Sequence, residues 1–235
     1  MIDDSLQGFR VLDLSQYLPG PYATRLLADL GADVVKVEPP GGDPMRTFIF
    51  QDDDSLSPLY KQINAGKTVI RLDLKNDGDS ACFAEMVQAA DVLLESYRPG
   101  VMSRLGFGRE RLRSLNPRLI HCAISGFGQD GPASQRAGHD LTYMALSGML
   151  SHTGTTTTPV IPFPPVSDYA AGQQAVNMIL SALLSRERDG KGCFIDTSLF
   201  ETVLSWQSFG QAGVGRPGRQ LEPGRGLITG GVACY

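Results

Sequence analysis

The chain has 235 residues, enough to bury the core of one large domain. With 42% hydrophobic and 20% charged residues it is composed as an ordinary globular protein, which excludes a disordered or fibrous chain. Its formal charge of −4, from 21 basic and 25 acidic residues, excludes the basic footprint of a nucleic-acid binder and a polybasic membrane anchor.

In chain order, residues 10–15 predict a strand, 22–30 an amphipathic helix, 33–38 a strand and 68–74 another strand. The alternation continues with a helix over 79–90, a strand over 91–97, a short helix over 109–115 and an apolar strand over 119–125. Strands and helices at this spacing imply an α/β fold: a Rossmann-like, doubly wound, mostly parallel sheet covered on both faces. From Gly126 the texture turns to loop, then a helix over 141–150 and a Thr- and Pro-rich stretch over 153–165. A long helix over 169–188, a strand over 193–198 and a helix over 199–209 follow. Residues 1–209 therefore read as one large α/β domain, and the Gly-, Pro- and Arg-rich residues 210–235 as a linker. The closing ITGGVACY resembles the start of an element rather than an end, and there is no internal repeat.

The four cysteines lie far apart with no C-x-x-C pair and there are three histidines, which argues against a metal site and for reduced thiols. Asp3 and Asp4 without an apolar run argue against a secretory signal, and no stretch approaches the roughly 20 apolar residues of a membrane span. These features place the chain in the cytoplasm, away from membranes.

Several segments have residue types suited to chemistry, each with a bland alternative. Pro19-Gly20-Pro21 lies between a strand and a helix, where free N–H groups and the helix dipole suit an anion, but neither the dinucleotide fingerprint nor a P-loop is present. Tyr97, Arg98 and Arg104 follow a strand end, the edge where open α/β sheets bind ligands; they suit phosphate or are solvated loop residues. Lys67 and Lys75, flanking TVIRLDL, have the same two readings. His139, after Gly138 and beside Asp140, is a proton-transfer group or a structural loop histidine, and Asp140 a helix N-cap. Asp168, after Pro164-Pro165 and before Ala170, Ala171 and Gly172, is a helix N-cap or a reactive carboxylate with room for a bulky ligand.

Together these segments resemble the class III CoA-transferase superfamily, which includes formyl-CoA transferase, carnitine CoA-transferase and alpha-methylacyl-CoA racemase. The resemblance spans residues 6–235 and is carried by LQGFRVLDLS, PGPYATRLLADLGADVVKVE, ADVLLESYRPGVMSRLG, NPRLIHCAISGFGQDGP, AGHDLTYMALSG, VSDYAAG and GKGCFIDTSLFE. It implies an acyl-CoA substrate, with coenzyme A as a substrate moiety and no resident cofactor, and makes Asp168 the catalytic carboxylate. In the transferases of that family the aspartate attacks the thioester and works through a mixed anhydride and a CoA adduct formed on the aspartyl group. In the racemases it shares α-proton transfer with the histidine of a G-H-D sequence. Because His139 is present and AGHDLTYMALSG is especially similar to the racemases, racemisation of a 2-methylacyl-CoA is the leading expectation and CoA transfer between carboxylic acids the alternative. A third is an inactive CoA-binding fragment. The resemblance maps CoA contacts to Leu18 and Pro19, to Leu72, Asp73, Leu74 and Lys75, to Ser96, Tyr97 and Arg98, to Arg104, and to Ala137, Gly138 and Asp140. Pro39 departs from an arginine that some relatives direct at the CoA phosphates. Family chains continue past the ITGGVACY segment into a small domain and return to complete the large one, and two chains interlock. The resemblance thus implies a homodimer or completion by another chain, with the small domain, the returning segment and the acidic partner of the racemase histidine absent here.

Overall fold

The structure, a computed structural model, describes residues 4–155, 157–216 and 223. Six strands, β1 (Arg10–Asp13), β2 (Asp33–Glu38), β3 (Thr68–Arg71), β4 (Val92–Glu95), β5 (Ile120–Ser125) and β6 (Phe194–Ser198), form one sheet in the order β3-β2-β1-β4-β5-β6. Every neighbouring pair is parallel. The central strands β4 and β5 are buried along their whole length, as a sheet covered on both faces requires. The doubly wound expectation is met.

The helices are α1 (Pro19–Asp29), α2 (Pro58–Ile63), α3 (Asp77–Gln88), α4 (Val101–Arg104), α5 (Arg109–Leu115), α6 (Asp140–Leu146), α7 (Val166–Asp189), α8 (Leu199–Ser205) and α9 (Ser208–Gly213). On one face, Ala23 and Leu27 of α1 and Ala175, Ile179 and Leu183 of α7 pack on Val11, Val92, Leu94, Ile120 and Cys122. On the other, Phe83 and Val87 of α3 and Leu112 of α5 pack on Leu12 and Leu93. Each of Leu27, Leu93 and Phe83 is fully buried, worth about 1.5–3 kcal/mol apiece. At Gly172 the helices α1 and α7 approach so closely that a Cβ there would lie 2.6 Å from the Pro19 carbonyl oxygen.

The strand order reverses between β1 and β4, which opens a crevice at their carboxyl ends. The orientation of α7 follows from its last turn. Arg186 donates to Asp91 Oδ1 (2.8 Å) and to the Arg118 carbonyl (3.2 Å), both at the amino edge of the sheet. The start of α7 therefore sits at the carboxyl edge.

Several boundaries differ from expectation. The strand expected over 68–74 ends at Arg71, because Asn76 donates to the Asp73 carbonyl and turns the chain into α3. The helix expected over 141–150 ends at Leu146, where Gly148 adopts φ 84° and breaks it. The helix expected over 199–209 divides at Trp206–Gln207, and α9 crosses the expected domain boundary at 209/210. The short α2, the single-turn α4 and a 3-10 turn at Pro44–Thr47 were not expected. The ITGGVACY segment and most of the expected linker lie outside the described residues. Among the described residues, no helix is long and apolar enough to cross a membrane.

Candidate active site

At the carboxyl edge, β1 leads into a turn whose Gln16 N–H donates to Ser96 Oγ (2.9 Å), tying the two walls of the crevice together. Leu18 is buried with Met45, Tyr60 and Ile63, and Tyr169 of α7 packs on the same cluster. The helix begins at Pro19, not at Tyr22. That weakens the expected anion site, since Pro19 and Pro21 lack an N–H and Gly20 alone offers one in the first three positions.

Asp168 is the third residue of α7 rather than its N-cap, which is Pro165. The capping work falls to Asp140. This first residue of α6 accepts from Ser167 N (2.6 Å), Ser167 Oγ (2.7 Å) and, at 3.4 Å, Asp168 N. Asp140 thus joins the two helix starts and places His139, the exposed N-cap of α6, on the segment bonded to the Asp168 turn. The Asp168 carboxyl is largely withdrawn from water, and no ion pair neutralises it among the described residues. Burial first, then the Asp140 charge, push its pKa up to about 7. A half-buried carboxyl poised near neutrality is suited to nucleophilic or proton-transfer chemistry.

The other expected contacts distribute along the same edge. Ser96, Tyr97 and the exposed Arg98 follow β4, and the exposed Arg104 ends α4. Burial, with Glu95 nearby, raises the Tyr97 hydroxyl to about 12, so it stays a neutral phenol. Leu72, Asp73, Leu74 and Lys75 follow β3, where Leu72 and Leu74 pack on the core and Asp73 accepts from Lys75 N (3.1 Å). Three strand spacings, about 14 Å, separate β3 from β4, so a ligand touching both groups must be long. Ala137 and Gly138 precede α6, with Gly138 beside Tyr143.

Two features escaped sequence reasoning. The first is Tyr143, whose hydroxyl is raised by burial and by Asp168 and lowered by Arg98, so its phenol lies in the field of both. The second is a cluster of buried charges beneath the β1 turn: Asp13, Lys36, Glu38 and Asp43. A lysine inside the apolar run DVVKVE was the available signal for it. Lys67 belongs to this cluster and is not free for phosphate, because its ammonium donates to Asp13 Oδ2, the Pro21 carbonyl and Asn64 Oδ1.

The family model described as CoA-transferase family III matches residues 6–233. The chain belongs to this family. It is 45% identical over 203 residues to acetyl-CoA:oxalate CoA-transferase from Acetobacter aceti, covering 85% of this chain and 52% of that protein. It is 39% identical over 202 residues to human succinyl-CoA:glutarate CoA-transferase, covering 85% of this chain and 46% of that one. Among solved structures, a CAIB/BAIF family protein from Brucella suis superposes with a TM-score of 0.88 at 33% identity, covering 94% of this chain and 60% of that chain. The chain spans about half the length of the curated relatives it matches.

Proposed function

We propose that the chain catalyses transfer of CoA between carboxylic acids, with Asp168 as nucleophile and a short dicarboxylic acid as acceptor. The observation that carries this reading is the Asp168 carboxyl itself, half-buried without an ion-pair partner among the described residues at the start of α7, on the ligand edge of the sheet. The related proteins named above are named for acetyl-CoA with oxalate and for succinyl-CoA with glutarate, which points to a short dicarboxylate as acceptor.

The ionised Asp168 attacks the thioester carbonyl; the C–S bond breaks, leaving an acyl-aspartyl anhydride and CoA thiolate. The thiolate then attacks the aspartyl carbonyl, releasing the donor acid and forming an aspartyl-CoA thioester. Attack by the acceptor carboxylate and return of the thiolate repeat both steps in reverse, delivering the new acyl-CoA and free Asp168. Arg98 and Arg104 supply exposed guanidinium groups for the CoA phosphates, and the apolar Leu72 and Leu74 a wall for its adenosine end. The neutral Tyr143 phenol is available as a donor to charge developing near Asp168.

Racemisation, the leading expectation from the GHD sequence, ranks second. What favours it is the Asp140 bridge that keeps His139 near the Asp168 turn. Against it stand the exposure of His139, where two-base transfer asks for two groups held across one carbon, and the transferase names of the relatives.

The test is to incubate the chain with succinyl-CoA and oxalate in the presence of hydroxylamine and, separately, with a 2-methylacyl-CoA in deuterated water. CoA transfer, with a hydroxamate mapped to Asp168 by mass spectrometry, is the expected result. Exchange of the α-hydrogen of a 2-methylacyl-CoA without transfer would replace this reading by racemisation, and CoA binding with neither reaction would mark a binding fragment.

A further inference from the structure

We propose that the buried charges Asp13, Lys36 and Asp43 form a positioning framework that fixes the turn Ser15–Pro19, and through it the seat of Asp168. The inference rests on the CoA-transfer reading for its catalytic consequence only.

All three side chains are inaccessible to water, and their polar atoms converge on the backbone of one turn. Asp13 Oδ1 accepts from Ser15 N (2.9 Å) and from the Ser15 hydroxyl. Lys36 Nζ donates to the Ser15 carbonyl (2.7 Å) and pairs with Asp43 Oδ2 at 2.9 Å. Asp43 Oδ1 accepts from Tyr17 N (3.4 Å) and from Met45 N (2.9 Å). Lys67 extends the set, bridging Asp13 Oδ2 (3.0 Å) and the Pro21 carbonyl (2.8 Å). Charged groups from β1, from β2 and from the loops before the 3-10 turn and before β3 thus bind the turn at Ser15 and Tyr17 and the first turn of α1 at Pro21.

Such convergence is more than burial of charge demands. A buried ion cluster is weak evidence of a stability role, since desolvation offsets much of the attraction. The turn, by contrast, needs to be held. Tyr17 has φ 62°, in the left-handed region that a tyrosine avoids, while its side chain is 52% exposed and gains little from packing. A strained backbone of this kind persists where its surroundings over-determine it, and such sites cluster where ligands bind. Beyond Tyr17 the constraint passes to the α7 helix by contact: Leu18 shares an apolar cluster with Tyr169, Tyr22 meets Tyr169 edge to face at 4.8 Å, and the Pro19 carbonyl abuts Gly172. Tyr169 and Gly172 lie one and four residues after Asp168, so a shift of the turn displaces the carboxylate. Asp13, Lys36 and Asp43 are positioning residues, acting through the turn rather than on substrate.

The test uses Asp43→Asn, which keeps the shape but removes the pairing charge, and the milder Ser15→Ala, which removes one bond to Asp13. Backbone hydrogen exchange is followed by mass spectrometry and coenzyme A affinity by calorimetry. The expected result is exchange faster by about tenfold or more at amides 15–18 in each variant, with β5 and the middle of α7 unchanged, and CoA bound roughly tenfold more weakly. Turn amides that exchange as in the parent chain in both variants would overturn the inference. So would a uniform rise across the whole fold, or failure of both variants to fold, since either makes the cluster a general stabiliser. If the parent chain binds no CoA while the turn responds, the transfer reading falls and the framework stands.

Discussion

Asp13 and Asp168 are the same residue at the same edge of one sheet, the first fully buried and the second half-buried, and their environments push them in opposite directions. Burial would raise the Asp13 carboxyl, but Lys67 and Lys36, with the hydroxyls of Ser15 and Thr24, hold it well below the usual carboxylate range. Asp168 is half-buried without such cations; Asp140 adds a like charge, and the Asp168 pKa rises to about 7. Hence the first is fixed as an anion and serves structure, whereas the second is held near the point of titration and serves chemistry. What separates the two roles is the sign of the neighbours.

The largest expected effect comes from removing the reactive member. Asp168→Asn is expected to lower CoA transfer by on the order of 10³-fold or more, measured as steady-state kcat. The same change should stabilise the protein at pH 8. Because the native carboxyl binds its proton up to about pH 7 and the unfolded one only to about 4, the native state holds the extra proton between those values. Stability in the parent chain therefore falls as pH rises through that window, and the amide removes this loss. Urea unfolding should show a gain on the order of 1–3 kcal/mol at pH 8, shrinking towards pH 4.

Next in size is the attempt to turn Asp13 into a second Asp168. Lys36→Met strips a cation from two buried carboxylates and is expected to cost about 3–5 kcal/mol in urea unfolding. Asp13 keeps Lys67, so its carboxyl should rise only part of the way towards that of Asp168, and the loss of stability should deepen as pH rises and Asp13 ionises without its second partner.

This contrast marks the limit of what the sequence discloses. The sheet was legible because β-branched runs such as DVVKVE and VLLESY alternate with amphipathic helices, and β2 and α5 fall at their expected limits. Asp168 was legible through the VSDYAAG resemblance. Its elevated pKa was not, because that depends first on burial by the folded chain and then on Asp140, 28 residues away in sequence and on another helix. The role of Lys67 was misjudged for the same reason: a lysine beside a strand end looks exposed until Asp13 and Pro21, 54 and 46 residues distant, are seen to enclose it. Local pattern reports elements; long-range pairing decides which charges are spent.

A substitution between the two regions tests whether they communicate. Gly172→Ala would press a Cβ against the Pro19 carbonyl and the Tyr22 ring, so it should cost about 1–3 kcal/mol of stability and weaken CoA binding by calorimetry. Gly172→Ala with unchanged affinity would show that the α1–α7 contact serves packing alone.

The smallest expected effect, and the sharpest on the comparison, is that of Asp140→Asn. The amide oxygen can still accept from Ser167, so the helix cap is retained in part and the loss of stability should stay near 0.5–1 kcal/mol. The charge beside Asp168 disappears, however, and with it the second of the two causes that raise its pKa. Burial remains, so the carboxyl should titrate between its parent value of about 7 and the ordinary range. Nucleophilic attack requires the ionised form, so the rising limb of kcat against pH should move to lower pH without a change in its plateau. A plateau that collapses instead would assign Asp140 a direct part in the reaction, and an unmoved limb would mean that burial alone sets Asp168 apart from Asp13.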